Sequence, residues 1–197
     1  MLICHAGDSS NRQAWLLKNK SKIRSIGFLW DLREPLPKVR SKNKDAIRAA
    51  LPKDRERLGK IVVEAYLPEW SWWVRQMGGK ERARADLMSY VDEFLRDRKK
   101  RIFVAEEGEK IVGLCGAAIY NRRTGTIGYG VAVLPGFRRK GIGSMLLLAA
   151  FEWLKKASVR FVTLEEETSG FENKDTPAIF LYKSLGGKII SDQPASR

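Results

Sequence analysis

The sequence predicts an α/β (α+β) fold in three layers, with helices on the faces of a central mixed sheet. Three observations lead there. Candidate strands at 101–106 and 111–120 flank Glu107-Gly108-Glu109-Lys110, the pattern of an antiparallel hairpin. From 126 to 165 the pattern alternates strand, helix, strand, as a parallel crossover requires. At 197 residues, 44% of them apolar, the chain suits one domain with an appendage.

Residues 1–44 hold ten basic and three acidic residues, with scattered Trp15, Phe28 and Trp30, no sustained period, and Pro35 and Pro37 near the end. They read as a basic amino-terminal extension. A flexible arm, an organellar presequence, a stretch upstream of the mature start, and a partly ordered segment packing its aromatics on the domain all fit. The domain itself is expected over 45–197. Positions 46–51 suit a first strand. Pro52 and Asp54 then open a helix that lines up Leu58, Ile61, Val62 and Ala65. Trp70, Trp72 and Trp73 make a large aromatic surface before Gly78 and Gly79. A helix over 80–100 follows, with Leu87, Tyr90, Val91, Phe94 and Leu95 on one stripe. After the hairpin come a turn at 121–125, a strand over 126–134, a helix over 143–157 and a strand over 160–165. A helix over 177–185 starts at Pro177, whose missing N–H costs nothing there, and a last strand lies near 188–191.

Lys and Arg number 37 against 23 Asp and Glu, a net charge of +14. Such an excess attracts any polyanion, whether a coenzyme, a nucleic acid or an anionic membrane. In the main domain basic and acidic residues interleave, as in Lys53-Asp54-Arg55-Glu56-Arg57, which suits an ordinary solvated helix face. Two cysteines, Cys4 and Cys115, make no disulfide framework, and Cys115 sits in an apolar strand. His5 is the one histidine, and its spacing to Cys4 is wrong for a zinc knuckle, so no metal is expected. The apolar run 145–154 is about half of what a bilayer requires. With no secretory h-region, the default expectation is a reducing, cytoplasmic protein.

The most informative stretch is Val131-Ala132-Val133-Leu134-Pro135-Gly136-Phe137-Arg138-Arg139-Lys140-Gly141-Ile142-Gly143-Ser144. Val131 and Val133 suit a strand, Pro135 and Gly136 stop it, and a helix begins among the glycines. The first turn of a helix exposes N–H groups without intrahelical acceptors, and its dipole favours negative charge. Gly141 and Gly143 let an anion approach closely, and Arg138, Arg139 and Lys140 add cations, so the physics describes a polyphosphate or pyrophosphate cradle. Neither the P-loop nor the three-glycine dinucleotide pattern is present.

Arg138-x-x-Gly141-x-Gly143 directly after this strand resembles motif A of the GCN5-related N-acetyltransferases (GNAT). Downstream, Ala178-Ile179-Phe180-Leu181-Tyr182-Lys183-Ser184-Leu185-Gly186-Gly187 resembles the family's closing helix, Ala-x-x-Leu-Tyr-x-x-x-Gly-Phe. The resemblance covers about 45–190. It implies a GNAT-like fold around a mostly antiparallel mixed sheet, with acetyl-CoA as co-substrate. The implied activity is acetyl transfer to a primary amine (a protein amino terminus, a lysine or a small amine) by direct attack in a ternary complex. The alternative is a catalytically silent coenzyme-binding or nucleic-acid-associated module. Of partners beyond acetyl-CoA and an amine, nucleic acid is disfavoured, no membrane is expected, and a homodimer stays open.

Residue roles follow from the same resemblance. Arg138, Arg139, Lys140, Gly141, Ile142, Gly143 and Ser144 would surround the pyrophosphate, and main-chain groups of Val131, Ala132 and Val133 would meet the pantetheine arm. Tyr182 would protonate the departing thiolate, since a phenol (pKa ~10) is close to a thiol (~8.5). Many relatives place a glutamate on the strand before the loop, but Thr126-Ile127-Gly128-Tyr129-Gly130-Val131 has no carboxylate. Glu165, which follows Leu164 where relatives often show Leu-Glu, is the leading base; Glu166, Glu167, Glu106, Glu64, Glu69 and a water relay are the others. The tryptophan cluster is either core packing or an acceptor-site wall. Asp175 stands where relatives usually carry Asn, and Gly187 replaces the terminal Phe, removing an apolar plug.

Overall fold

The computed structural model describes residues 24–39, 47–66, 74–75, 77–128, 130–168 and 176–194. In chain order these form β1 (Arg24–Asp31), β2 (Ile47–Ala49), a 3-10 turn (Pro52–Asp54), α1 (Arg55–Tyr66), α2 (Lys80–Arg96), β3 (Lys100–Glu107) and β4 (Lys110–Ile119). Then come β5 (Thr124–Thr126), β6 (Val131–Val133), a 3-10 turn (Pro135–Phe137), α3 (Ile142–Lys156), β7 (Phe161–Thr168), α4 (Pro177–Ser184) and β8 (Lys188–Pro194).

One 8-stranded sheet runs β2-β3-β4-β5-β7-β1-β8, with β6 also on β4. The β5–β7 pair is parallel and the rest are antiparallel. Each face of the sheet carries an apolar layer. Leu58, Ile61, Leu87, Val91 and Phe94 of α1 and α2 pack on one face, with Ile102, Val104 and Leu114. Leu146, Leu147, Phe151 and Leu154 of α3 and Ile179 and Tyr182 of α4 pack on the other, with Ile26, Phe28, Trp30, Val162 and Leu164. The expected three-layer α/β architecture is therefore present.

Several boundaries differ from the expected ones. Residues 24–31, expected within a basic extension, form β1, which pairs with β7 on one side and β8 on the other. The 1–44 segment thus contributes a strand to the sheet interior, and its boundary at 44 does not separate an appendage from the domain there. The helix expected over 80–100 stops at Arg96. Asp97 is extended (φ −82°, ψ 122°), its carboxylate accepts the Lys99 N–H at 2.8 Å, and Lys100 already belongs to β3. The strand expected over 126–134 is broken into β5 and β6. β7 continues past Glu165 to Thr168, because β1 supplies partners along its full length. Cys4, His5, Glu69, Trp70, Trp72, Trp73 and Asp175 lie outside the described residues.

Candidate active site

The break between β5 and β6 opens the sheet. β4 pairs with β5 at Ala118–Ile119 and with β6 at Gly113–Cys115, so both short strands share one neighbour. β5 runs beside β7 as far as Thr126↔Thr163, and the Ile127 N–H donates to the Thr163 carbonyl at 3.0 Å. Beyond this point β7 keeps β1 as its partner, while β6 pairs with β4 alone among the described residues. Gly130 stands at the break with φ 64°, a left-handed conformation that a side chain disfavours. An edge of β6 main chain therefore faces a gap in the sheet.

The basic loop leads from that edge into α3. After the Pro135–Phe137 turn, Arg139 adopts φ 64° and Gly141, the residue capping α3, adopts φ 80°. The first intrahelical bond runs from the Met145 N–H to the Gly141 carbonyl (3.1 Å), so the N–H groups of Ile142, Gly143 and Ser144 have no acceptor within the helix. Gly143 is a point of close approach. A Cβ there would lie 3.1 Å from Leu181 Cδ2 and 3.3 Å from Val131 Cγ1, so α3, α4 and β6 converge on it. Val131 and Val133 pack toward the α3–α4 layer and Ala132 toward the α1–α2 layer. Arg138, Arg139 and Lys140 are exposed. The Arg138 Nε donates to the Val133 carbonyl at 2.9 Å, tying the loop back to β6. Lys140 and Lys110 lie over the Phe137 ring, 5.2 and 5.9 Å from its centroid.

Tyr182 reaches the same opening from α4. Only 1% of the residue is exposed, and its ring stands edge-on to Phe28 (5.3 Å) and Trp30 (6.1 Å). Its hydroxyl lies 3.5 Å from where a Cβ on Gly130 would sit, at the strand break. Glu165 lies two residues past the last β5–β7 pair. Side chains alternate along a strand, so Val162, Leu164 and Glu166 share the Tyr182 face while Glu165 and Glu167 share the other. Ser25 of β1 donates to Glu165 Oε1 at 2.6 Å.

The other proposed bases stand elsewhere. Glu106 is clamped by Arg48 (2.7 Å) and Arg57 (2.9 Å), and the Arg48 hydrogen bond holds its carboxyl below the usual carboxylate range. Glu64 is exposed on α1. Cys115 is fully buried, and burial pushes its thiol pKa up. Among the described residues no group of three or more His, Cys, Asp or Glu could hold a metal ion, and no helix is long and apolar enough to cross a membrane.

Ser25, Phe28 and Trp30 are the site residues that sequence reasoning missed. The signal for β1 was present: Ile26, Phe28 and Trp30 recur at every second position.

The model of the Acetyltransferase (GNAT) family matches residues 61–186. A mycothiol acetyltransferase from Renibacterium salmoninarum is 30% identical over 110 residues, 54% of this chain and 31% of that protein, so the chain spans about a third of that relative. A GCN5-related N-acetyltransferase from Sphaerobacter thermophilus has a similar fold, with TM-score 0.62 at 21% identity over 93% of this chain and 55% of that one. An aminoglycoside N-acetyltransferase solved in complex with CoA gives TM-score 0.50 at 17% identity, over 71% of this chain and 85% of that one. The matched residues take in β3 to α4, the elements that open the sheet beside a helix amino terminus, and the chain belongs to the GNAT acetyltransferase family.

Proposed function

We propose that the chain is an N-acetyltransferase that moves an acetyl group from acetyl-CoA to a primary amine by direct attack in a ternary complex. The observation that carries this reading is the parting of β6 from β7 beside the α3 amino terminus. The residues present fit the coenzyme. Unbonded N–H groups at Ile142, Gly143 and Ser144 suit its pyrophosphate, and Arg139 and Lys140 add charge. Main-chain groups of Val131 and Val133, on an edge with no second strand among the described residues, suit an extended amide-bearing arm, whereas those of Ala132 turn to β4, which corrects the expectation for that residue. The aminoglycoside enzyme with CoA bound supports the same assignment by analogy of fold.

Acetyl-CoA, when bound, supplies a thioester whose carbonyl an amine can attack, forming a C–N bond as the C–S bond breaks. Glu165, facing the α1–α2 side, takes a proton from the amine. Tyr182, facing the α3–α4 side, gives a proton to the leaving sulfur. Base and acid thus stand on opposite faces of the opened sheet, so that the amine and the sulfur are each served by a separate group.

Two measurements test this. Calorimetry should show coenzyme A binding to the wild type and its loss in Gly143→Glu. That change fills the tight space against Leu181 and Val131 and puts an anion among the N–H groups. Thiol release from acetyl-CoA across a panel of amines should identify the acceptor. Coenzyme binding that survives Gly143→Glu would refute the cradle, and binding without thiol release from any amine would point to the silent module instead.

A further inference from the structure

We propose that Ser25 is a positioning residue for Glu165, fixing the direction of its carboxylate at the opening in the sheet. The inference rests on the acetyltransferase reading above and deepens it. Ser25 lies outside the residues that the family model matches, so the device belongs to this chain's own first strand.

The geometry is specific. The β1–β7 register sets Ser25 opposite Glu167 and Gly27 opposite Glu165. The Ser25 hydroxyl nevertheless donates to Glu165, at 2.6 Å. Gly27 offers no side chain across the strand, and the space above it is taken by β8, since a Cβ there would lie 2.3 Å from Ser191 Oγ. Glu165 therefore leans along β1 to the diagonal neighbour. Ser25 is 4% exposed, whereas Glu165 is exposed. A buried donor thus anchors an exposed carboxylate. A carboxylate can only accept, so the Ser25 hydroxyl hydrogen points at Oε1 and holds one of the two oxygens in place, which leaves the other to face the opening. On the same strand face stand Glu167 of β7 and, from β8, Ser191 and Gln193.

The test uses the full chain with Ser25→Ala, Ser25→Cys (nearly isosteric, with a weak donor) and Glu165→Gln, assayed with the best amine of the panel. Coenzyme A affinity should be unchanged in all three. Glu165→Gln should lower kcat by about 10²-fold or more. Ser25→Ala and Ser25→Cys should each lower kcat by about 10-fold and leave KM for the amine unchanged, since a carboxylate that turns away is lost to proton transfer and not to binding. Ser25→Thr, which keeps the hydroxyl, should restore the wild-type kcat. If Ser25→Ala fails to fold, Ser25→Cys carries the comparison. Wild-type kcat in Ser25→Ala and Ser25→Cys, a loss of kcat that Ser25→Thr does not restore, or full activity in Glu165→Gln would overturn the proposal. Coenzyme A that binds while no amine reacts would also overturn it. A wild type that binds no coenzyme A would instead overturn the acetyltransferase reading beneath it.

Discussion

Gly187 follows the closing helix where the family pattern carries phenylalanine, and one residue explains the exchange. A Cβ on Gly187 would lie 2.6 Å from Trp30 Cζ2 and 2.8 Å from the Tyr182 carbonyl. The Trp30 indole N–H donates to the Leu185 carbonyl at 3.0 Å, holding the ring against the end of α4. The apolar plug expected from the helix terminus is thus delivered from β1. Gly187→Phe should destabilise the protein by about 1–3 kcal/mol, as overpacking of a filled core does. Part of that loss should return in a Trp30→Ala background, because that change removes the indole with which the new ring collides and the ring fills the space the indole leaves. Urea midpoints of the four-member cycle measure the coupling, and strictly additive losses would show that Trp30 does not occupy the plug position.

At the scale of elements, β1 joins the two halves of the site. Its Ile26, Phe28 and Trp30 pack under Tyr182, and its Ser25 holds Glu165 on the opposite face. Burying Phe28 and Trp30 contributes roughly 1.5–3 kcal/mol for each large side chain, a sizeable share of a domain's net stability. Deleting residues 1–44 should therefore abolish the cooperative melt followed by circular dichroism and cause aggregation, since two strand edges are uncovered. A deletion ending at residue 23 leaves every β1 pair and serves as the control. A 45–197 protein that melted cooperatively and bound coenzyme A would refute the role of β1. The contrast with the loop before α3 explains what could be read in advance. Loop, glycines and Tyr182 lie in local patterns of a few residues, where turn chemistry and helix capping act directly. β1 finds its partners about 140 and 160 residues away, inside a segment whose basic composition resembles a tail. Ser25–Glu165 depends on a register that only the assembled sheet defines. The split of β5 from β6 was likewise hidden, because Gly128 and Gly130 look like mild interruptions of a strand until β7 is seen to diverge.

For the whole molecule, carboxylates are outnumbered by cations, 23 to 37, and five of the described ones pair with arginines. Asp31 bonds Arg160, Asp92 bonds Arg55, Asp192 bonds Arg24, and Asp54 and Glu106 share Arg48 and Arg57. The last group ties β2, the first 3-10 turn, α1 and β3 together at one end of the sheet. Asp54 is its buried member, 1% exposed, and also accepts the Leu51 N–H at 2.8 Å. The Arg48 hydrogen bond, reinforced by Leu51 and Arg57, lowers its pKa to about 2. Arg48 shifts upward in return, but a guanidinium is charged throughout the accessible range, so Asp54 carries the pH dependence. A depressed carboxyl stabilises the fold fully above its ordinary value near ~4 and loses that contribution as pH falls through its folded value. The contribution is about 2 kcal/mol at neutral pH. Asp54→Asn should lower stability by about that amount at neutral pH, and the gap between variant and wild type should close as the pH falls from about 4 toward about 2. Each proton taken up also raises a net charge that is already +14, steepening the loss for the wild type. Urea unfolding across that range measures both curves. Parallel curves with a constant gap would mean that the Asp54 carboxylate does not titrate with folding, and that the edge of the sheet is held by packing alone.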